Sequence, residues 1–291
     1  MSTDKKIGDV GNIGNANFPV DADGVVYHLG VKKGQLSQRI LTVGDYGRAI
    51  KLRDHLFDTG KKVVTSEHRG FHIHTGEYKN VPVSIVSIGM GTPMMDFLVR
   101  EGRYVTEGTM AIVRYGTCGS LRDVPVGTLA IAKECVLIRR NPDHWHADSS
   151  NQVKPYDISK AVKGDTEMVE KLTNAFTTEF NGRRQVIQGL NATADSFYSS
   201  QGRQDSNFDD HNQELIPSII QTHPDAATLE METFQLYHLA ERSTVEPIKA
   251  AAATIILANR VSNSFLGNDE KAQLELDGGR ACLEALISMK L

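Results

Sequence analysis

Short apolar segments alternate with segments of helical spacing along nearly the whole chain, and this alternation restricts the fold more than any other feature. RILTVG (39–44) reads as a buried strand and DYGRAIKLRDHLF (45–57) as the amphipathic helix after it. VPVSIVSIG (81–89) is a second strand, entered through the turn residues GEYKN. Residues 94–105 have helical spacing. MAIVRYG (110–116), VGTLAIAKECVLI (126–138), RQVIQGLNATA (184–194) and KAAAATIILA (249–258) continue the strand series. Residues 269–291 read as a covering helix in which Gly278 and Gly279 are weak points. The pattern predicts an α/β fold, a single domain with a central mixed β-sheet flanked by helices. No internal repeat or boundary divides it. The domain is expected over residues 25–291. The Gly/Asn/Asp-rich residues 1–24 are expected to be a mobile tail, since their composition buries too little surface to offset ordering entropy. Two long polar stretches, 141–160 and 199–213, have the length of binding loops.

Charge narrows the function. The 291 residues hold 32 Lys and Arg against 36 Asp and Glu, a net charge of -4. A dedicated nucleic-acid binder needs a basic stripe, so this mild acidity argues against that class. A small anionic substrate is not, because a few local arginines suffice to hold one. Three cysteines, Cys118, Cys135 and Cys282, do not make a disulfide framework and point to a reducing compartment. No signal-type run opens the chain, and no stretch approaches the roughly 20 apolar residues of a membrane helix. A cytoplasmic protein without membrane contact is expected.

Four motifs sit where chemistry is possible. Gly44-Asp45-Tyr46-Gly47-Arg48 joins a strand to a helix. Glycine lets backbone approach a ligand, a helix N-terminus favours anions, and Arg48 adds a bidentate donor. The same residues also read as an ordinary turn with Asp45 as N-cap. Arg114-Tyr115-Gly116-Thr117-Cys118-Gly119-Ser120 ends an apolar strand. A charged arginine there needs an anionic partner, either a carboxylate or a ligand. Cys118 has no visible base beside it and reads as a small packing residue. Phe197-Tyr198-Ser199-Ser200-Gln201-Gly202-Arg203 offers a planar amide, a planar donor fork and an aromatic face, which suits the edge of a heterocycle; alone, it reads as a polar loop. Glu230-Met231-Glu232 precedes an amphipathic helix, where acids are commonplace, yet a carboxylate there can also take both hydroxyls of a ribose. His144-Trp145-His146 lacks a third ligand, so no metal site is assigned. Asn259-Arg260 ends another apolar strand, and that arginine also wants a partner.

Taken together, these motifs resemble the nucleoside phosphorylase-I family, and within it the uridine phosphorylases, from about Val26 to the C-terminus. GDYGR is similar to the family's phosphate loop, which implies Gly44 and Arg48 as phosphate ligands. RYGTCG is similar to its second phosphate loop, implying Arg114 and Thr117, with Gly119 near the base. DSFYSSQGRQD resembles the uracil loop, implying Phe197, Gln201 and Arg203. LEMET resembles the ribose segment, implying Glu230, Met231 and Glu232. VYHLGVKKGQL and EHRGF resemble segments whose histidine and arginine, here His28 and Arg69, act in a neighbouring subunit's ribose and phosphate sites. The chain departs from bacterial relatives at a potassium site, with Gly70 where a glutamate ligand stands and Met94 where a serine stands; no metal is assigned. Purine-cleaving relatives place an aspartate near Asn259.

The resemblance implies reversible phosphorolysis of uridine to uracil and ribose 1-phosphate. Inorganic phosphate is a co-substrate, no cofactor is needed, and a homodimer is the minimal active unit. Arg114, Glu232 and Arg203 would carry the chemistry. A nucleosidase of the same fold, using water, and a non-enzymatic nucleoside-binding protein are the rivals. Three arginines aimed at one anion argue against the first.

Overall fold

In the computed structural model, residues 6–146 and 153–291 are described. The elements run β1 (Arg39–Val43), α1 (Tyr46–Leu56), β2 (Val64–His68), β3 (Phe71–Tyr78), β4 (Val81–Ser87), α2 (Thr92–Val105), β5 (Met110–Ser120), β6 (Leu129–Arg140), β7 (Tyr156–Ile158), β8 (Val162–Lys163), α3 (Thr166–Phe180), β9 (Val186–Ala194), α4 (Leu215–Thr222), β10 (Ala226–Glu230), α5 (Thr233–Arg242), β11 (Ile248–Asn259), β12 (Ser264–Phe265) and α6 (Asn268–Ser288). The expected strand–helix alternation is present. The helix α3 was not among the expected elements, although Met168, Leu172 and Phe176 give it a buried face at helical spacing.

One mixed sheet links all the strands in the order β12-β11-β6-β9-β10-β5-β1-β4-β3-β2, with β7 and β8 on β6. Because β11 also pairs β5, the strands β5, β11, β6, β9 and β10 close into a ring, and β1, β4, β3 and β2 extend from it. The ring removes edges that an open sheet would expose. One core layer packs α1, α3 and α6 on the sheet through Leu52, Phe176 and Leu283. The other packs α2 and α5 through Leu98 and Leu236. Gly278 and Gly279 do not interrupt α6. A Cβ on Gly278 would collide with the Tyr115 hydroxyl, and one on Gly279 with Leu52, so both glycines let the helix seat closely on β5 and α1.

The pairing of β5 places the site. One edge pairs β11 along its length. The other edge pairs β1 as far as Thr42↔Arg114, then β10 from Leu229↔Gly119. Among the described residues, Tyr115–Cys118 lie between these partners. The sheet therefore opens where the parallel strands β1 and β4 end, the place where α/β sheets hold ligands.

The segment read as a tail carries defined contacts from residue 6 onward. Isolated bridges join Ile13 to Asp21 and Val20 to Val26, the Asp21 carboxylate accepts from the Gly11 and Val25 amides, and Phe18 lies against Tyr104. Of the long loop 141–160, Pro142–Trp145 form a 3-10 turn and Tyr156–Ile158 a short strand; residues 147–152 lie outside the described residues. No described helix is long and apolar enough to cross a membrane.

Candidate active site

A cavity of about 340 Å³ opens at the gap in β5, and its lining gathers the four motifs. Gly44 and Arg48, then Arg114, Thr117 and Gly119, and then Glu230, Met231 and Glu232 all line it. Phe197, Gln201 and Arg203 belong to the same lining.

Arg48 is positioned by helix formation. The Asp45 carboxylate caps α1 by accepting from the Arg48 amide at 2.7 Å, so the turn expected from sequence and the cavity lining are the same residues. The buried guanidinium donates through Nε to Glu275 Oε1 at 3.0 Å and through Nη1 to the Tyr115 carbonyl at 3.3 Å. Arg114 finds its anionic partner in carboxylates. Its Nε lies 3.0 Å from Glu230 Oε2, and Nη2 donates to Glu232. Its Nη1 is buried without a partner among the described residues. Gly116 lies beside it, where any Cβ would strike the guanidinium. Burial works against the charge of Arg114, but Glu232 and Glu230 outweigh it and hold the group firmly protonated.

The two carboxylates have different surroundings. Glu230 ends β10, and both its oxygens are taken. Asn191 Nδ2 (2.7 Å), Thr193 Oγ1 (2.5 Å), the Glu232 amide (3.0 Å) and the Thr233 amide and hydroxyl all donate to it. Burial would raise its pKa, yet Arg114 and these donors bring it below the usual carboxylate range. Glu230 therefore holds Arg114 and the start of α5. Glu232, at the N-terminus of α5, accepts from the Gly91 amide at 2.6 Å besides Arg114. Burial, with repulsion from Glu230, raises its pKa despite Arg114. Of the two, it is the carboxylate with fewer protein donors.

The heterocycle-edge motif is a 3-10 turn, Ser199–Gln201, closed by Gly202 at φ +63°. Gln201 is buried, and Arg203 Nη1 donates to its Oε1 at 2.7 Å. The Arg203 guanidinium stacks on Phe197, 3.7 Å from the ring centre. Burial, reinforced by Arg260, pulls Arg203 down to about 10, still cationic at neutral pH. Arg260 donates to the carbonyls of Gln201 (3.0 Å) and Gly202 (3.3 Å), so the arginine at the end of β11 finds its partners in this loop. Asn259 next to it is a cap. Its amide donates to Asp123 and the Val124 carbonyl, and its oxygen accepts from the Val261 and Ser262 amides.

Two expected residues do not line this cavity. His28 stacks on Phe97 and its Nδ1 lies 2.5 Å from the buried Glu101. Arg69, at the tip of the β2–β3 hairpin, packs over Tyr27 and donates to its hydroxyl at 3.2 Å. Arg69 (φ +48°) and Gly70 (φ +82°) form the two-residue turn between the paired His68 and Phe71, which accounts for glycine at that position. His144 is not isolated in its loop: its Nε2 lies 2.7 Å from His211 Nδ1. Burial pushes the Cys118 thiol up to about 12, consistent with packing and not with a nucleophile. Sequence reasoning missed Gly89, Met90, Leu257, Ala258 and Phe265, which also line the cavity. Their apolar or glycine character carries no chemical signal.

These features define an α/β protein whose cavity gathers two buried arginines, a carboxylate and an amide–guanidinium edge. The chain belongs to the Phosphorylase superfamily, whose profile matches residues 38–287. It is 30% identical over 260 residues to a uridine phosphorylase of Thermococcus kodakarensis, covering 88% of this chain and 86% of that protein. A structure from a study of two uridine phosphorylases of the oomycete Phytophthora capsici matches with TM-score 0.90 and 39% identity, covering 96% of this chain and all of the other. A DeoD-type purine nucleoside phosphorylase of Streptococcus gordonii is 26% identical, covering 90% of this chain and 98% of that protein.

Proposed function

We propose that the protein is a uridine phosphorylase, transferring the ribosyl group of uridine to inorganic phosphate. The observation that carries this reading is the co-location, in one cavity, of buried Arg48 and Arg114 with Glu232 and the Gln201–Arg203 edge. The uridine phosphorylases among its relatives support the choice of base.

Phosphate attacks the anomeric carbon as the glycosidic bond breaks and uracil leaves with the bonding electrons. The protein contributes positioning and charge stabilisation. Arg48, the free Nη1 of Arg114, Thr117 and the Gly44 backbone bind phosphate. Glu232 accepts from ribose hydroxyls, with Met231 along the sugar and Glu230 holding Arg114. Gln201 accepts from uracil N3–H beside its bond from Arg203, and its amide donates to O2. Arg203 donates to O4 as charge builds there; Phe197 and Gly119 bound the base. His28 and Arg69 lie outside the chain's own cavity and act in a partner's, at the ribose and phosphate respectively, so a homodimer is the smallest complete unit. No cofactor enters the reaction.

Incubation with uridine, with and without phosphate, tests this reading. Uracil release that requires phosphate and yields ribose 1-phosphate is expected. Release at equal rate without phosphate indicates a nucleosidase, and tight binding without turnover a binding protein.

A further inference from the structure

We propose that Glu275, on the C-terminal helix and outside the cavity lining, is the positioning residue that orients Arg48 for phosphate, and that Lys51 and Lys271 keep it from neutralising that arginine. The inference rests on the reading of Arg48 as a phosphate ligand.

A free arginine side chain has many rotamers, and a bound anion must fix one of them. Here α6 has already done so. Glu275 Oε1 lies 3.0 Å from both Nε and Nη2 of Arg48, and both side chains are only 5% exposed. The Tyr115 carbonyl takes Nη1. Tyr115 is itself tied to the same turn of α6, since its hydroxyl donates to the Leu274 carbonyl at 2.6 Å. Arg48 of α1, Tyr115 of β5 and residues 274–275 of α6 thus form a closed triangle of hydrogen bonds. Gly278 permits the approach, because a Cβ there would meet the tyrosine hydroxyl.

A carboxylate paired one-to-one with Arg48 would cancel the charge that phosphate needs. Glu275 is instead shared: Lys51 Nζ lies 3.1 Å from Oε2 and Lys271 Nζ 2.9 Å from Oε1. Three cations on one carboxylate leave a net positive junction at the end of the cavity that Arg48 lines. Burial favours the neutral acid at Glu275, but Arg48 and the lysines hold it ionised and below the usual carboxylate range.

Steady-state kinetics against phosphate, with a phosphate-induced thermal shift as a readout free of turnover, test this assignment. Glu275→Ala is expected to raise the phosphate KM about tenfold or more, with uridine KM unchanged and kcat at saturating phosphate within about threefold. Glu275→Gln retains an oxygen for Nε and Nη2, so most phosphate affinity returns. The double variant Lys51→Met/Lys271→Met, at partly exposed positions, keeps the orientation but concentrates the carboxylate charge on Arg48. It is expected to raise the phosphate KM about two- to fivefold and decides the matter if the alanine variant does not fold. Arg48→Ala is measured in parallel. A phosphate KM that moves with Arg48→Ala but not with Glu275→Ala, or not with the lysine pair, overturns the proposal. A phosphate KM indifferent to Arg48→Ala overturns the phosphate reading beneath it.

Discussion

Arg114 and Glu232 are ion-paired in the cavity lining, which joins the residues proposed for phosphate to those proposed for ribose. Neither group is an isolated ligand. Arg114 also holds Glu230, and Glu232 also holds the Gly91 amide at the entry of α2. The ends proposed for sugar and phosphate therefore belong to one connected polar unit, in which Arg114 Nη1 is buried without a partner among the described residues.

Removing Arg114 should first be a stability defect. Arg114→Ala leaves two buried carboxylates without their cation, a loss of about 3–5 kcal/mol. Without the arginine both carboxyls bind protons more tightly in the folded state, so the deficit should shrink as pH falls. Urea unfolding of wild type and variant at pH 7.5 and pH 5 measures this. A variant as stable as wild type at pH 7.5 contradicts the ion-pair account.

Glu232→Gln separates charge from shape at the sugar. The amide keeps the volume but loses the acceptor strength that two ribose hydroxyls require. Turnover of uridine should fall about a hundredfold, and that of 2′-deoxyuridine by a smaller factor, since one hydroxyl is already absent. Equal losses in kcat/KM on both substrates would show that Glu232 does not read the 2′-hydroxyl.

Local pattern made much of this legible. RILTV and YGRAIKLRDHL carry strand and helix periodicities directly, and the structure places β1 and α1 on them. Arg114 in an apolar strand announced a need for an anion; that the anion is a pair of carboxylates became visible only when β10 was brought beside β5. The ring closure pairs 110–120 with 248–259, and no local spacing encodes a contact so distant in sequence. Gly278 and Gly279 read as helix-weakening because their reason, contact with Tyr115 and Leu52, is tertiary. Glu275 was invisible for the same cause: on α6 it is one acid among several until Arg48 is beside it.

His74 should make stability depend on pH. It is buried on β3, its Nε2 has no partner among the described residues, and burial with the nearby Arg53 lowers it from 6.5 to about 4. The unfolded chain takes up a proton below pH 6.5 while the folded chain resists until about 4, so this stabilisation is complete above pH 6.5 and is lost as pH falls through that window. Compared with wild type, His74→Leu should lose less stability between pH 6.5 and 4. Parallel unfolding curves for the two proteins would rule out a titrating His74.

Subunit mixing tests the crossing residues. In a mixed dimer of an Arg69→Ala chain and a Glu232→Gln chain, one site inherits both defects and the other neither. Activity should recover to about half the wild-type rate per mixed dimer. Mixed dimers proven by mass that stay inactive would place Arg69 in its own subunit's site.

The proposed reading of the base by hydrogen-bond complementarity predicts a separation of uridine from purine nucleosides. Gln201 is buried, with its Oε1 already oriented by Arg203, and the loop is tied down by Arg260. In the proposed reading, the edge it presents pairs with O2, N3–H and O4 of uracil. Cytosine puts an amino group where O4 would meet Arg203, a donor facing a donor. A site built around buried polar groups rejects such an analogue by about 10⁴-fold, since its own donors are left unpaired. Inosine lacks the edge, and its leaving base needs a proton that Asn259, occupied as a cap, does not supply. Uridine should be cleaved, cytidine weakly or not at all, and inosine essentially not. Gln201→Ala should cost more on uridine than Phe197→Leu, because Phe197 is already stacked on Arg203 and its loss removes packing without removing the edge. The deciding quantity is kcat/KM for uridine over that for inosine: a ratio near one or below it means that the Gln201–Arg203 turn does not read uracil.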